Sequence, residues 1–209
     1  SFDTYYNPRR MNFGALRVLN DDRVEAGKGF GIHPHKNMEI ISIPLKGKLK
    51  HGDSNKNSRT ITIGDIQTMS AGTGIYHSEM NGSDTEPVEF LQIWVMPEKL
   101  NTPPAYRDYD IRPFLRKNEL ALIVSPDGDA PAKMLQQTWF SIGEIEAGKK
   151  IGYHMHQSHA GVYIFVIEGE VKVDDTVLSR RDGMGVYDTH SFELETLKDS
   201  HILLMEVPM

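Results

Sequence analysis

One nine-residue segment of this chain occurs twice in closely similar form. Residues 27–35 read Gly-Lys-Gly-Phe-Gly-Ile-His-Pro-His, and residues 148–156 read Gly-Lys-Lys-Ile-Gly-Tyr-His-Met-His. The pair Gly64-Asp65 has a looser counterpart in Asp182-Gly183. A repeat with this register, in a chain of 209 residues, predicts two copies of one structural module.

Each module is predicted to consist of β-strands. Short apolar or alternating runs of strand length recur along the chain, and turn-forming pairs such as Gly64-Asp65 and Asp127-Gly128 separate them. We find no long amphipathic helical pattern. Strands of this length and spacing are typical of sandwiches and barrels, so the fold class is predicted to be all-β. Trp94 and Trp139 lie in such runs and are expected to belong to the core.

A change in composition near the middle of the chain predicts the boundary between the modules. The stretch 97–113 contains Pro103-Pro104 and many polar or charged residues, which favours a linker. The predicted division is residues 1–100, a linker of residues 101–117, and residues 118–209.

The composition narrows the functional classes. The chain contains no cysteine, so neither a disulfide nor a thiolate metal site is available. The formal net charge of -6 disfavours direct nucleic-acid binding, which requires clustered Lys and Arg. No apolar run of about eighteen residues and no basic-then-apolar leader is visible, so we expect no membrane association and no secretion signal. The expected location is cytoplasmic, or nuclear if the protein is eukaryotic.

Two pairs of potential metal ligands lie in the first half of the chain. His33 and His35 form one pair, and His77 and Glu79 form the other. Alternate side chains of an extended segment point the same way, so each pair can converge on one point. Pro34 removes a backbone N–H, which predicts an edge strand or a strand start for the first pair.

Three imidazoles and one carboxylate form a nitrogen and oxygen ligand set. Such a set suits iron, manganese, cobalt, nickel, copper or zinc, and ligand type alone does not choose among them. Four protein ligands on an octahedral metal leave two positions open, as in a catalytic site. The alternative is that these are solvated polar side chains, since an isolated His-x-His pair in a chain with nine histidines is more often surface than ligand.

Six segments of this chain have a residue order typical of one protein family: 20–22, 29–31, 33–39, 69–79, 92–95 and 203–208. They resemble the signature motifs of the pirin family, whose members are bicupins. The resemblance runs over essentially the whole chain. It implies two cupin-type β-barrels, each a double-stranded β-helix or jelly roll, and a single metal in the first barrel.

The resemblance also implies which residues bind the metal. The family's ligands correspond here to His33, His35, His77 and Glu79. Many other cupins take a glutamate four residues after the second histidine of the first motif, and this chain has Glu39 there. A swap of roles is therefore conceivable, although we assign the ligand role to Glu79 and an orienting or structural role to Glu39.

The second half is predicted to lack a metal site. His154 and His156 retain the His-x-His pair, but Ala160 stands where the first half has Glu39. His190 is the nearest candidate for a second-motif histidine, and no carboxylate follows it as Glu79 follows His77. Pirins generally have no metal in this barrel, so the histidines here are interpreted as polar or surface residues.

The resemblance implies a metal-dependent dioxygenase that opens the flavonol quercetin with release of carbon monoxide. The expected cofactor is one divalent metal, with Fe(II) favoured over Zn, Mn, Co, Ni or Cu. The expected partners are a flavonol-like molecule and O2, with Glu79 or Glu39 as the catalytic base. We expect a monomer. The alternative, since some pirins act this way, is a non-enzymatic coregulator of transcription whose metal oxidation state governs binding to a protein partner.

Overall fold

The computed structural model describes residues 4–209 and consists of β-strands with two single-turn 3-10 helices, at Pro8–Arg10 and Arg112–Phe114. In this part of the chain, no helix is long and apolar enough to cross a membrane. The all-β prediction is confirmed. The strands before residue 112 are β1 (Leu16–Val24), β2 (Gly29–His35), β3 (Glu39–Lys46), β4 (Lys48–Asp53), β5 (Ser58–Thr62), β6 (Asp65–Ser70), β7 (Ile75–Asn81), β8 (Val88–Val95) and β9 (Ala105–Asp110). The strands after it are β10 (Ala121–Ser125), β11 (Ala132–Lys133), β12 (Trp139–Ile145), β13 (Lys150–His154), β14 (Ala160–Glu168), β15 (Glu170–Val173), β16 (Thr176–Ser179), β17 (Gly183–Val186), β18 (Ser191–Thr196) and β19 (Ser200–Pro208).

The chain divides into two compact units, which we call the first and second modules. The first module comprises the residues up to Asn12, Leu16–Arg112 and Ala132–Gln136. The second comprises Phe13–Ala15, Pro113–Pro131 and Gln137–Met209.

The first module is built from two antiparallel sheets. The larger has the strand order β1-β8-β3-β6-β9, and the smaller has the order β2-β7-β4-β5. Apolar side chains from both sheets meet between them, where Val24, Val88 and Phe90 of the larger sheet pack with Leu49 and Ile61 of the smaller. Buried side chains alternate with less buried ones along β4 and β7 of the smaller sheet, whereas β3 of the larger sheet is buried on both faces over its first six residues.

The second module repeats this arrangement. Its larger sheet contains β10-β12-β19-β14-β17 and its smaller sheet β13-β18-β15-β16. The order β12-β19-β14-β17 matches β1-β8-β3-β6, and β13-β18-β15-β16 matches β2-β7-β4-β5. The two sets of strands are therefore two copies of one β-module, as the internal repeat predicted.

The segment predicted to be a linker, residues 101–117, contains regular structure. Within it, β9 pairs with β6 from Asp65↔Asp110 to Ser70↔Ala105 and so extends the larger sheet of the first module. Arg112 then donates to the carboxylates of Asp65 and Asp110. The composition of this segment resembled a linker because β9 is an edge strand, and edge strands carry charged residues such as Arg107 and Asp108.

Candidate metal centre

Three histidine side chains converge inside the first module. His33 and His35 lie on β2, and His77 lies on β7 directly opposite His33. Their ring centroids are 4.4 Å apart for His33 and His77, 4.8 Å for His35 and His77, and 4.9 Å for His33 and His35. One ring nitrogen from each residue lies within 4.8 Å of the others, which is an arrangement able to hold a metal ion.

A β-bulge directs these side chains inward. The β2–β7 register shifts between Phe30 and His33, so the residues of β2 beyond the bulge change the face to which they point. As a result His35 is buried, whereas Ile32 is 80% exposed. Strand β2 is the edge of its sheet, as the proline at position 34 predicted.

The free ring nitrogens of these histidines suit a metal. The Nδ1–H of His33 donates to the backbone oxygen of Gly31 at 2.8 Å, which leaves its Nε2 as the available ligand atom. Nε2 of His35 and both nitrogens of His77 are buried without a hydrogen-bond partner. Buried polar atoms are normally satisfied, and a cation at the centre of the cluster would satisfy those that face it.

The electrostatic environment keeps two of the three rings neutral. Burial, and then the neighbouring His33, lowers the pKa of His35 to about 4. Burial, followed by His33, His35 and His51, lowers the pKa of His77 to about 2. A neutral imidazole presents the lone pair that a metal requires, so these two rings need not lose a proton on binding at neutral pH.

Glu79 lies beside the cluster, two residues after His77 on β7. Its carboxylate is 3% exposed and accepts hydrogen bonds from Gln92 Nε2 at 2.5 Å and Ser42 Oγ at 3.1 Å. Burial raises the pKa of Glu79 to about 7, against the lowering effect of these two hydrogen bonds. Glu79 is not part of the compact three-histidine group, although it is buried on the same strand.

A cavity of about 670 Å³ opens onto His33 and Glu79. This volume lies in the range of small-molecule sites, and the walls combine aromatic and polar side chains. Trp94, expected in the core, packs against the buried cluster of Ile40, Met69, Ala71 and Ile75. It also lines this cavity and packs edge-on against His35 with ring centroids 4.8 Å apart. The residues around the cavity are Asn20, Asp22, Gly29, Phe30, Gly31, His33, Glu79, Gln92 and Trp94.

Asp22 adds a second carboxyl group to this cavity. Burial raises its pKa to about 6, and the neighbouring charge of Asp21 adds to the shift. Asp22 also contributes to the raised pKa of Glu79, because two nearby carboxylates disfavour double ionisation. The cavity can therefore hold two carboxyl groups that titrate near neutral pH.

Glu39 lies in a different environment. One of its oxygens accepts from Ser70 Oγ and the backbone N–H of Leu135, both at 3.0 Å, and the other accepts from the backbone N–H of Gln136 at 2.7 Å. Glu39 is not among the residues that line the cavity. Its carboxylate holds the segment Ala132–Gln136 in the first module.

Two further polar residues, which the sequence analysis did not identify, lie beside His77. His51 and Asp53 on β4 pair with Glu79 and His77 of β7, respectively. His51 is fully buried, and its ring centroid lies 5.2 Å from that of His77. Their i, i+2 spacing is the signal that could have identified them, but Asp53 also begins the polar run Asp53-Ser54-Asn55, which is typical of a turn.

The second module does not form an equivalent cluster. No bulge interrupts the β13–β18 ladder, and His154 pairs with Ser191 on the exposed face while Tyr153 points inward. The Nδ1 atom of His156 lies 2.8 Å from the buried carboxylate of Glu206. Among residues 4–209, the three-histidine group of the first module is the one metal-type cluster found. The interior here is filled by an apolar core that includes Tyr153, Val171, Leu194, Ile202 and Leu204.

The fold and the histidine cluster together define a two-module β-protein with a metal-type site in one module. Residues 1–95 match the pirin family, and residues 122–207 match the quercetinase C-terminal cupin domain. The quercetin 2,3-dioxygenase of Escherichia coli (strain K12) is 38% identical over 100% of this chain and 89% of its own length. A pirin-like protein of Caulobacter vibrioides is 34% identical over 99% of this chain and 89% of its own length.

Solved structures agree with the sequence relatives. The bacterial pirin YhhW from Escherichia coli, in a crystal structure with nickel(II), superposes with a TM-score of 0.93. It is 36% identical, and the match covers 100% of this chain and 89% of that one. The chain belongs to the pirin family and has its bicupin fold, with a histidine site suited to a metal ion in the first module.

Proposed function

We propose that this protein is a metal-dependent dioxygenase that opens the ring of a flavonol, with quercetin as the test substrate. The proposed metal ligands are His33, His35, His77 and Glu79. The observation that carries the proposal is a cluster of three imidazoles, beside a buried carboxylate, at the wall of a cavity of about 670 Å³. The names of the relatives in Escherichia coli support the substrate class.

The donor set fits a divalent transition metal. Imidazole nitrogens with one carboxylate oxygen suit iron, nickel, cobalt, manganese, copper and zinc alike. We propose Fe(II) as the metal in the dioxygenase, while nickel(II) in the related bacterial pirin makes Ni(II) a practical probe. When bound, the metal supplies Lewis-acid chemistry and a template for adjacent oxygens of the substrate.

The side chains around the cavity have separate tasks in this proposal. Trp94 and Phe30 provide aromatic walls for a flat polyphenol. Glu79 accepts the proton of the flavonol hydroxyl, because its side chain lines the cavity beside the histidine cluster. Gln92 and Ser42 orient its carboxylate through their hydrogen bonds.

Glu79 is preferred to Glu39 as the base for a geometric reason. Both oxygens of Glu39 already accept hydrogen bonds from Ser70, Leu135 and Gln136. Glu79, in contrast, lines the cavity in which the substrate would lie. Glu39 is therefore proposed to have a structural role.

The test is turnover by protein loaded anaerobically with Fe(II). Oxygen uptake and carbon monoxide release are measured with quercetin for the parent, for His77→Ala and for His154→Ala as a matched control in the second module. We expect the parent to form one carbon monoxide for each oxygen molecule consumed, and the control to do so at the same rate. His77→Ala should neither consume oxygen nor form carbon monoxide.

Two results would contradict the proposal. Turnover that survives in His77→Ala would remove the assigned site from the reaction. Stoichiometric metal binding without turnover, across Fe(II), Ni(II), Co(II) and Mn(II), would exclude quercetin dioxygenation and favour the coregulator function.

A further inference from the structure

A second histidine and carboxylate pair faces the ligand-bearing strand. In the β4–β7 ladder, Asp53 is paired with His77 and His51 with Glu79. Directly paired residues of antiparallel strands point to the same face. Strand β4 therefore brings His51 and Asp53 to the same interior as the proposed ligands, and the proposed reaction uses neither of them.

The ring of His51 is held on two sides. It stacks on Tyr106 with centroids 4.3 Å apart and an interplanar angle of 27°. Its Nε2 lies 3.4 Å from Oδ2 of Asp53. Since an ionised carboxylate can only accept, Nε2 is the nitrogen that carries the hydrogen.

The carboxylate of Asp53 is itself anchored. Oδ1 accepts from the backbone N–H groups of Asn55 and Asn57 at 2.9 and 3.0 Å. Oδ2 accepts from the side-chain amide of Asn57 at 2.8 Å. Burial raises the pKa of Asp53, but its hydrogen bonds, above all those from Asn57, outweigh this effect. The pKa of Asp53 is therefore below its usual value, and the carboxylate is ionised. A rigid, charged acceptor thus fixes the tautomer of His51.

Unsatisfied nitrogens remain on the two neighbouring rings. The Nδ1 atom of His51 and both nitrogens of His77 are buried without a hydrogen-bond partner. A metal can bind one nitrogen of His77, and the other nitrogen then still lacks a hydrogen-bond partner. The ring centroids are 5.2 Å apart, which permits a nitrogen–nitrogen separation of about 3 Å after a small ring rotation.

We propose that His51, anchored by Asp53, is a positioning residue for His77 and that its Nδ1 accepts a hydrogen bond from the His77 nitrogen facing away from the metal. This rests on the proposed role of His77 as a ligand. Such a bond fixes the orientation of His77 and strengthens its donation to the metal. The buried nitrogens of both rings are satisfied together when the metal binds.

The competing explanation is that His51 only fills space next to Tyr106. Two amide substitutions separate the explanations, because they keep a polar side chain and place it differently. His51→Asn places an oxygen near the position of Nδ1, so it retains an acceptor toward His77. His51→Gln extends its amide toward the position of Nε2, so it retains the contact with Asp53 and loses the acceptor.

The experiment measures Ni(II) affinity by competition with a chelator, together with the ligand-field spectrum of the Co(II) protein. We expect His51→Gln to bind Ni(II) about 10- to 100-fold more weakly and to show an altered Co(II) spectrum. His51→Asn should stay within a few-fold of the parent. His154→Gln, the same substitution on an exposed strand of the second module, should bind like the parent. Thermal unfolding of each metal-free variant verifies that it is folded.

Equal Ni(II) affinity and an unchanged Co(II) spectrum in a folded His51→Gln protein would overturn the proposal. If that variant does not fold, long-range nitrogen-15 spectra of the histidine rings in Zn(II)-loaded parent decide the question. A hydrogen on Nε2 of His51 and none on Nδ1 would support it, and a hydrogen on Nδ1 would overturn it. None of these readouts uses a substrate. If the parent protein binds metal but does not turn over quercetin, the dioxygenase proposal fails, and the proposed role of His51 is still tested by the metal affinities.

Discussion

His33 and His77 face each other across the β2–β7 ladder with ring centroids 4.4 Å apart. This pairing depends on the bulge between Phe30 and His33. In the second module the corresponding ladder has no bulge, and His154 pairs with Ser191 on the exposed face. The bulge in β2 and the histidine opposite it on β7 therefore distinguish the metal-type site of the first module from the apolar core of the second.

Metal binding should depend on the first module alone. We expect the parent and His154→Ala to bind one equivalent of Ni(II), and His33→Ala to lose stoichiometric binding because only two of the three imidazoles remain. Saturating metal should also stabilise the parent, by about 2.7 kcal/mol at 100 times Kd. Equilibrium dialysis and thermal unfolding measure both effects. A second equivalent bound by the parent and lost in His154→Ala would contradict the assignment.

Metal affinity should rise as the pH increases through about 7. In the metal-free protein, burial raises the pKa of Glu79 to about 7, so the carboxyl is largely protonated at pH 6 and largely ionised at pH 8. A metal requires the ionised form, so binding should release a proton at pH 6 that it does not release at pH 8. His35 and His77, with pKa values of about 4 and 2, are already neutral across this range.

Titration calorimetry in two buffers with different ionisation enthalpies counts this proton. Glu79→Gln should abolish the difference between pH 6 and pH 8 and bind metal more weakly. Equal proton release by the parent at both pH values would show that Glu79 does not exchange its proton for the metal.

The fluorescence of Trp94 should decrease when a metal binds to the histidine cluster. The chain has two tryptophans, and the ring of Trp94 packs against His35 at 4.8 Å while Trp139 lies in the second module. Cu(II) or Ni(II) at the histidine cluster should quench the tryptophan fluorescence of the parent and of Trp139→Phe. The fluorescence of Trp94→Phe should change little. Quenching that persists in Trp94→Phe and disappears in Trp139→Phe would place the metal in the second module.

Glu39 should matter for stability and little for metal binding. Removing its carboxylate in Glu39→Ala leaves the backbone N–H groups of Leu135 and Gln136 without their acceptor. We expect a loss of about 1–3 kcal/mol in the free energy of unfolding, with unchanged Ni(II) affinity in the folded protein. Urea unfolding and chelator competition measure the two quantities. A folded Glu39→Ala protein with greatly weakened Ni(II) binding would instead support the exchange of roles between Glu39 and Glu79.

Much of the fold could be predicted from local patterns. Strand runs, turns and the repeat at residues 27–35 and 148–156 are properties of short segments, and they were sufficient for the all-β, two-module architecture. The location of β9 was missed because an edge strand is polar and resembles a linker in composition. The cavity-facing position of Trp94 was also missed, since a strand sequence does not show what its two faces meet.

The sequence by itself determined the two ligand-type pairs, His33 with His35 and His77 with Glu79, because a period of two is built into an extended chain. Only the tertiary structure decided which face of each strand points inward, since a single bulge reverses it. The tertiary structure also brought His51 beside His77. It placed the carboxylate of Glu39 where it accepts hydrogen bonds from residues almost a hundred positions away. These relations depend on strand register and long-range packing, which no short segment of the chain contains.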